Sequence, residues 1–527
     1  MGIPSYFAFL IKNYPQIIQK KILYTIDNLY LDSNSIVYDS VYSLEYNNDA
    51  EFEIQVIKRV CNTIDSYCTS IQPKKVFITF DGVAPIAKLN QQKSRRYKSW
   101  FTNEMEKKIK NDSYDQKCKW NTSSITPGTE FMNKLNTMVY NYFIKNKDTI
   151  HKNITFEFSG SDKPGEGEHK IFDKIRNEPD YHANAHTLVY GLDADLIMLC
   201  LHHLHLCKSL NLYRETPHFI KQLDNSLDPN ETYVLNNDLL GEKIVSTMSS
   251  KNIINNNDLI HDYIFICFLL GNDFMPHHPA YNIRHSGIHV LLDVYKHLHD
   301  KDKKFILTKD NTIQWNNVRK YIVLLSEQEE SLFQEEHNKK SKREKRYIPN
   351  RTEDERWEKF QITPCFERSS EHFIDPNEPG WNLRYYKTLF DINNDEERIK
   401  QICFNYLEAL EWTFTYYTSG CKDWRWKYKY KYAPLFKDLI KYIPYFDSEL
   451  LETKQPQPID SIIQLAYVLP NTSYNLLPKN VVEILNNNFE VDGPYEMSWA
   501  YMKYFFETHI EFPDMDIDKL SNLISVK

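Results

Sequence analysis

Residues 188–195 read Leu188-Val189-Tyr190-Gly191-Leu192-Asp193-Ala194-Asp195, an apolar run that breaks at a glycine and ends in two carboxylates. Two earlier segments have the same form: Leu29-Tyr30-Leu31-Asp32 and Val76-Phe77-Ile78-Thr79-Phe80-Asp81. Short unbroken apolar runs suit strands buried on both faces, as in a parallel sheet. Helical patterning lies between them, at 51–68 and 129–146. The order is α/β, and we expect a mainly parallel twisted sheet flanked by helices. In such sheets the functional crevice opens at the carboxyl ends of the strands, where Asp32, Asp81, Asp193 and Asp195 fall.

Further acids sit in unusual settings. Glu166 and Glu168 lie in Pro164-Gly165-Glu166-Gly167-Glu168-His169-Lys170, and Asp273 in Leu270-Gly271-Asn272-Asp273-Phe274. The chain has 13 glycines in 527 residues, about 2.5% where roughly 7% is usual. Gly82, Gly165, Gly167, Gly191 and Gly271 nevertheless lie within two residues of these acids. A lone Asp-x-Asp is commonly a cap or a turn. Seven acids in such settings need a cation if they converge, because buried unpaired carboxylates are costly. Oxygen ligands favour Mg2+, with Mn2+ as a substitute, over Zn2+. Two such ions about 4 Å apart are the usual device for phosphodiester hydrolysis.

After Asp81 a helix is expected from near Pro85. On it Lys88, Gln92, Arg95 and Arg96 fall at i, i+4, i+7 and i+8, on one face. Periodicity alone also allows an ordinary solvated basic helix. The closeness to Asp81 favours a pocket for a terminal phosphate, since arginine offers a planar fork to phosphate oxygens. Farther on, Trp424-Arg425-Trp426-Lys427-Tyr428-Lys429-Tyr430-Lys431-Tyr432 alternates aromatic and cation. If extended, it presents aromatics to one side and cations to the other. Either the aromatics stack on bases and the cations meet phosphates, or the aromatics are core and the cations are the wet face.

The net charge of −8 argues against a protein that coats nucleic acid non-specifically. Nine scattered cysteines with no CxxC pair argue against a zinc knuckle or a disulfide framework and fit a reducing compartment. The opening MGIPSYFAFLIKNYP is not a signal peptide, Tyr6 fails the myristoylation pattern, and no apolar run is long enough to span a membrane. The run Lys339-Lys340-Ser341-Lys342-Arg343-Glu344-Lys345-Arg346 reads as the end of a solvated helix, with a nuclear localisation signal as the rival reading. The expected division is 1–325 for a nuclease region, 326–380 for a charged, exposed connector, and 381–527 for a mostly helical second region.

Together these strings resemble the Xrn family of 5′→3′ exoribonucleases. The matches are MGIPSYF (1–7), LYLDSNSIV (29–37), FDGVAPIAKLNQQKSRRY (80–97), ITPGTEFM (125–132), PGEGEHKI (164–171), YGLDADLIML (190–199), LLGNDFMPHHP (269–279) and WRWKYKYKYAP (424–434), with a weaker YVLPNTSYNLLP (467–478). The resemblance implies a sheet related to PIN and flap nucleases, with the second region wrapping the active site. It implies a processive, Mg2+-dependent enzyme that removes 5′ mononucleotides from single-stranded RNA bearing a 5′ monophosphate. It places the metal ligands at Asp32, Asp81, Glu166, Glu168, Asp193, Asp195 and Asp273. The 5′-phosphate pocket falls on Lys88, Gln92, Arg95 and Arg96, and a base-stacking ring on Trp424 or Trp426. Where the family often has a stacking histidine, this chain has Tyr38. Relatives are also poorer in lysine where this chain has Lys427, Lys429 and Lys431. The expected protein is a cytoplasmic monomeric core without the extra C-terminal domains of large relatives, as in viral members, served by decapping or other RNA-processing partners. The rivals are a flap-type DNA nuclease and a non-catalytic RNA-binding scaffold.

Overall fold

The structure is a computed structural model. It describes residues 3, 5–22, 24–111, 120–146, 151–216, 221, 226–228, 230–250, 256–454, 456–491 and 495–525. Met1, Gly2 and Pro4 of the opening motif lie outside the described residues.

Seven strands form the central sheet: β1 (Ile18–Gln19), β2 (Asn28–Asp32), β3 (Lys75–Thr79), β4 (Thr155–Ser159), β5 (His186–Tyr190), β6 (Ser209–Glu215) and β7 (Thr232–Leu235). Their spatial order is β1-β7-β6-β5-β2-β3-β4. The five strands from β2 to β6 run parallel, while β7 is antiparallel to both β6 and β1. The sheet is therefore mixed and mainly parallel. From β2 the chain moves outward to β3 on one side, and from β5 to β6 on the other. The connections thus diverge between β2 and β5, and a crevice opens there at the strands' carboxyl ends.

Residue alternation explains how both faces are covered. Tyr30, Phe77 and Val189 point into one core, whereas Leu29, Leu31, Val76, Ile78, Leu188 and Tyr190 point into the other. The second core is closed by α1 (Asn34–Tyr42) and α2 (Asp49–Ile71), through Ile36, Val37, Val56, Val60 and Ile64. The next helices are α3 (Ile86–Lys110), α4 (Gly167–Asn177) and α5 (Asp195–His203). Then follow α6 (Asn256–Phe268), α7 (Trp315–Glu344), α8 (Glu396–Thr418) and α9 (Ser461–Val468). The first core runs from Ile171 on α4 through Leu199, Ile264 and Tyr321 to Tyr406, Trp412 and Tyr417 on α8. The C-terminal region thus shares a core with the sheet.

This changes the expected division. The boundary at 325/326 falls inside α7, a continuous helix of 30 residues. Ser326, Glu329, Phe333, Glu336, His337 and Lys340 are buried, so 326–346 is no exposed connector. Its buried charges have partners: Glu329 accepts from the backbone of Phe436 and Lys437, Glu336 lies beside His285, and Lys340 contacts Glu371. The sequence pattern recorded the charges but not their partners. A third core joins α9 to the start of α3, with Val83, Ala84, Ile86 and Leu89 packed on Ile463, Ala466 and Tyr467. No helix among the described residues is long and apolar enough to cross a membrane.

Candidate active site

Asp32 ends β2, and Asp81 lies two residues beyond β3. Glu166 and Glu168 flank the start of α4, and Asp193 and Asp195 lie between β5 and the first turn of α5. The backbone brings these groups close. Gly167 N–H donates to Asp81 Oδ1 at 2.6 Å, and Asn34 Nδ2 donates to Asp81 Oδ2 at 2.6 Å. A Cβ on Gly167 would lie 2.6 Å from Asp32 Oδ1 and 3.4 Å from Asp81 Oδ1, so only glycine leaves room for both carboxylates. Gly271, two residues before Asp273, has φ +82° and also needs to be glycine.

Two tyrosines from α8 reach into the cluster. Tyr416 Oη donates to Glu166 Oε1 at 2.7 Å, and Tyr417 bonds the side chain of Asp195. Tyr416 also begins a column of stacked rings. Its ring lies 3.7 Å from His169 on one side and 4.9 Å from Trp412 on the other, and Trp412 stacks on Trp426 at 5.1 Å. Sequence reasoning missed Tyr416 and Tyr417, which no motif marked. It also passed over Asn34 and His169, which lie inside two quoted strings.

The electrostatics are those of crowded carboxylates. Burial, then Asp81 and Asp193, push the Asp32 carboxyl well above its ordinary range. Burial and Glu166 raise Asp81, and burial with Asp273 takes Asp195 to about 6. Burial also raises Glu168, where Lys88 opposes it but Glu166 and Asp195 reinforce it. Asp32 Oδ1, Glu168 Oε2 and Asp195 Oδ1 are buried and have no hydrogen-bond partner among the described residues. Orphaned buried carboxylate oxygens call for a cation. Glu166, Glu168 and His169 offer ligand atoms within 4.8 Å of one another. The donor set, mostly carboxylate oxygen, fits a hard divalent cation.

The basic helix needs one revision. α3 does start near Pro85, which is its N-cap, and Gln92, Arg95 and Arg96 share a face with Lys88. But Lys88 Nζ lies 2.7 Å from Glu166 Oε2 and 2.8 Å from Asp273 Oδ2, with side chains at most 7% exposed. Burial opposes its charge, yet Asp273 and Glu166 hold its pKa well above the usual value. Burial likewise pushes Asp273 up, but the Lys88 ammonium overrides it and Arg95 adds to that field, so Asp273 sits below the usual carboxylate range. In this state Lys88 belongs to the acids. Of the rest, Gln92 has a buried oxygen without a partner among the described residues, Arg95 is exposed, and Arg96 donates to Thr126 Oγ1 at 2.7 Å. Tyr38 lies within electrostatic reach of Arg96, whose pKa burial draws down.

The 424–432 segment forms no strand. Tyr428 and Tyr432 are buried, Trp426 and Tyr430 pack against the first core, and Lys429 is exposed. Lys431 pairs with Glu511 at 2.9 Å and Arg425 with Asp518 at 3.2 Å. One face of Trp426 is taken by Trp412, whereas Trp424 makes no ring contact among the described residues. The Trp424 carbonyl accepts from Ile86 N–H at 3.0 Å, which fixes it beside the start of α3.

Comparison with known proteins gives the family. Residues 1–216 match the family described as the XRN 5′-3′ exonuclease N-terminus, and residues 253–375 and 370–491 match the Xrn1 helical domain. The chain belongs to the Xrn family. Human 5′-3′ exoribonuclease 1 is 30% identical over 92% of this chain and 31% of that protein. Arabidopsis thaliana 5′-3′ exoribonuclease 2 is 27% identical over 92% of this chain and 63% of its own length. Saccharomyces cerevisiae 5′-3′ exoribonuclease 2 is 31% identical over 66% of this chain and 40% of its own. This Xrn chain therefore spans less than two thirds of the length of these relatives. Xrn nucleases are metal-dependent, and the acidic cluster here has the donors to hold a metal.

Proposed function

We propose that this protein is a 5′→3′ exoribonuclease that hydrolyses single-stranded RNA with a 5′ monophosphate to 5′ mononucleotides. What supports it is the meeting of two features at one helix start. The acids with orphaned oxygens lie at the sheet's carboxyl edge, and α3 leads away from them with a cationic face. Asp32, Asp81, Glu166, Glu168, Asp193, Asp195 and Asp273 would hold two Mg2+ ions, with Mn2+ able to replace them. Ions there supply a water of lowered pKa and stabilise the leaving oxygen.

The chain's own groups then divide the work. Gln92, Arg95 and Arg96 grip the terminal phosphate, and Thr126 fixes the Arg96 fork. Lys88 balances Glu166 and Asp273 and is the nearest cation to the cleavage site on this helix. Tyr416 and Tyr417 hold Glu166 and Asp195 in place. Trp424 and Tyr38 offer faces to bases. A grip on one phosphate at a fixed distance from the acids gives cleavage one nucleotide at a time. It also disfavours a cap, which is bulkier than one phosphate.

The test compares 5′-monophosphate, 5′-hydroxyl and circular RNAs of one sequence, each with Mg2+ or EDTA. The expected result is Mg2+-dependent decay of the monophosphate form alone, with mononucleotides as the first product. Equal decay of circular and linear RNA overturns the proposal. Preference for a branched DNA flap over single-stranded RNA replaces it with a flap-type DNA nuclease.

A further inference from the structure

A second cationic pocket lies away from the acids. It has a volume of about 120 Å³ and is lined by residues from the loop after Asp273, from the end of α7 and from the 501–503 turn. That volume is several times what one water needs. None of its lining residues belongs to the acidic cluster or to the α3 face.

Most of its charges are already matched. Arg284 contacts Glu507, Lys340 contacts Glu371, and His285 Nδ1 lies 2.7 Å from Glu336 Oε2. Two lining cations are left over. Arg343 and Lys503, both half-buried, have no carboxylate within ion-pair distance among the described residues. The Lys503 ammonium sits over the ring of Tyr504, at 4.7 Å. A second observation points the same way. Tyr501 lines the pocket at 4% exposure, and its hydroxyl is buried without a hydrogen-bond partner among the described residues. Its backbone is left-handed, with φ +63°, a costly state for a bulky side chain. Such strain collects at ligand sites, where surrounding structure enforces it. Here Tyr501 N–H donates to Glu371 at 2.7 Å.

We infer that this pocket binds a phosphate group, gripped by the Arg343 fork and the Lys503 ammonium. Arginine meets two phosphate oxygens in its plane, and lysine supplies a compact point charge. The phosphate could belong to a free phosphomonoester or to the RNA strand, and the experiment separates these sources. The inference stands apart from the exonuclease reading, because it needs neither the acids nor cleavage.

The probe is inorganic phosphate, titrated by calorimetry into the full chain with EDTA present. An R95Q/R96Q background removes the contribution of the α3 face. Adding R343Q/K503Q should weaken phosphate binding by about 10- to 100-fold, the loss expected for charge-assisted bonds. Adding R343K alone, which keeps a charge but loses the fork, should weaken it less than R343Q/K503Q does. Both side chains are partly exposed, so melting curves without phosphate should match the background. Unchanged phosphate affinity in the R343Q/K503Q chain overturns the inference, as does equal loss in R343K. The second arm uses 5′-hydroxyl RNA in EDTA at several salt concentrations. If the phosphate belongs to the strand, R343Q/K503Q lowers the salt slope by about one to two. If it is free, the slope stays and AMP competes with inorganic phosphate.

Discussion

Replacing Lys88 with methionine keeps the length of the buried stem and removes the ammonium. The wild-type Nζ lies 2.7 and 2.8 Å from two carboxylates, in side chains no more than 7% exposed. Taking charge centres about 4 Å apart, each pair is worth about 4 kcal/mol at an effective dielectric near 20. Desolvation of the ammonium offsets much of this, and breaking a buried pair usually costs about 3–5 kcal/mol. Unfolding entropy is about 2.1 cal/mol/K per residue, or about 1.1 kcal/mol/K for 527 residues melting as one unit. K88M should therefore melt about 3–5 °C below wild type in EDTA. A divalent ion among the same carboxylates replaces the missing charge, so Mg2+ should raise the variant's midpoint more than the wild type's. Scanning calorimetry of both proteins with EDTA and with Mg2+ decides it. If K88M matches wild type in EDTA, the ammonium is not holding the acids together and the electrostatic reasoning fails.

Three other outcomes are expected. Gly167→Ala places a methyl against Asp32 and should cut Mg2+-dependent turnover by about 10–100-fold while the circular dichroism spectrum is kept, as measured in an RNA decay assay. Trp426→Ala opens a hole beside Trp412 and should lower stability by about 3 kcal/mol, whereas Trp424→Ala should leave the melt in place and weaken RNA binding by about 1–3 kcal/mol; the reverse pattern would assign the base contact to Trp426. Burial depresses the pKa of His202, His203 and His261, the last to about 4. Their contribution to stability is complete above the ordinary histidine value near 6.5 and is lost as pH falls through the folded values. The melting midpoint should accordingly fall between pH 6.5 and 4, and His261→Gln should make that slope shallower; an unchanged slope would place the acid sensitivity elsewhere.

The strand-end acids were legible because burial on both faces forces an apolar run, and an Asp closing such a run must lie at the sheet's edge. Their meeting followed from the parallel order. The scarce glycines were legible too, and Gly167 has a concrete reason in the Asp32 contact. What stayed hidden are pairings between distant residues. Helical spacing put Lys88 on the face of Arg95 and Arg96, but only the fold brings Glu166 and Asp273 to its tip. Alternation in 424–432 left two readings open, since the choice depends on Trp412, a helix away. The charges on α7 looked solvated because Glu371 and the backbone near Phe436, their partners, are remote in sequence.

The tyrosine at 416 has a consequence for how the protein is made. Glu166 leaves the ribosome some 250 residues before the hydroxyl that bonds it, and Ala84 N–H waits still longer for Gln464, its partner at 2.9 Å. A nascent chain that has emerged only as far as α7 carries every proposed metal ligand but not these two supports. The acidic cluster and the start of α3 therefore gain these two hydrogen bonds only at a late stage of synthesis. For the same reason, a fragment cut at the end of the sheet region lacks both supports.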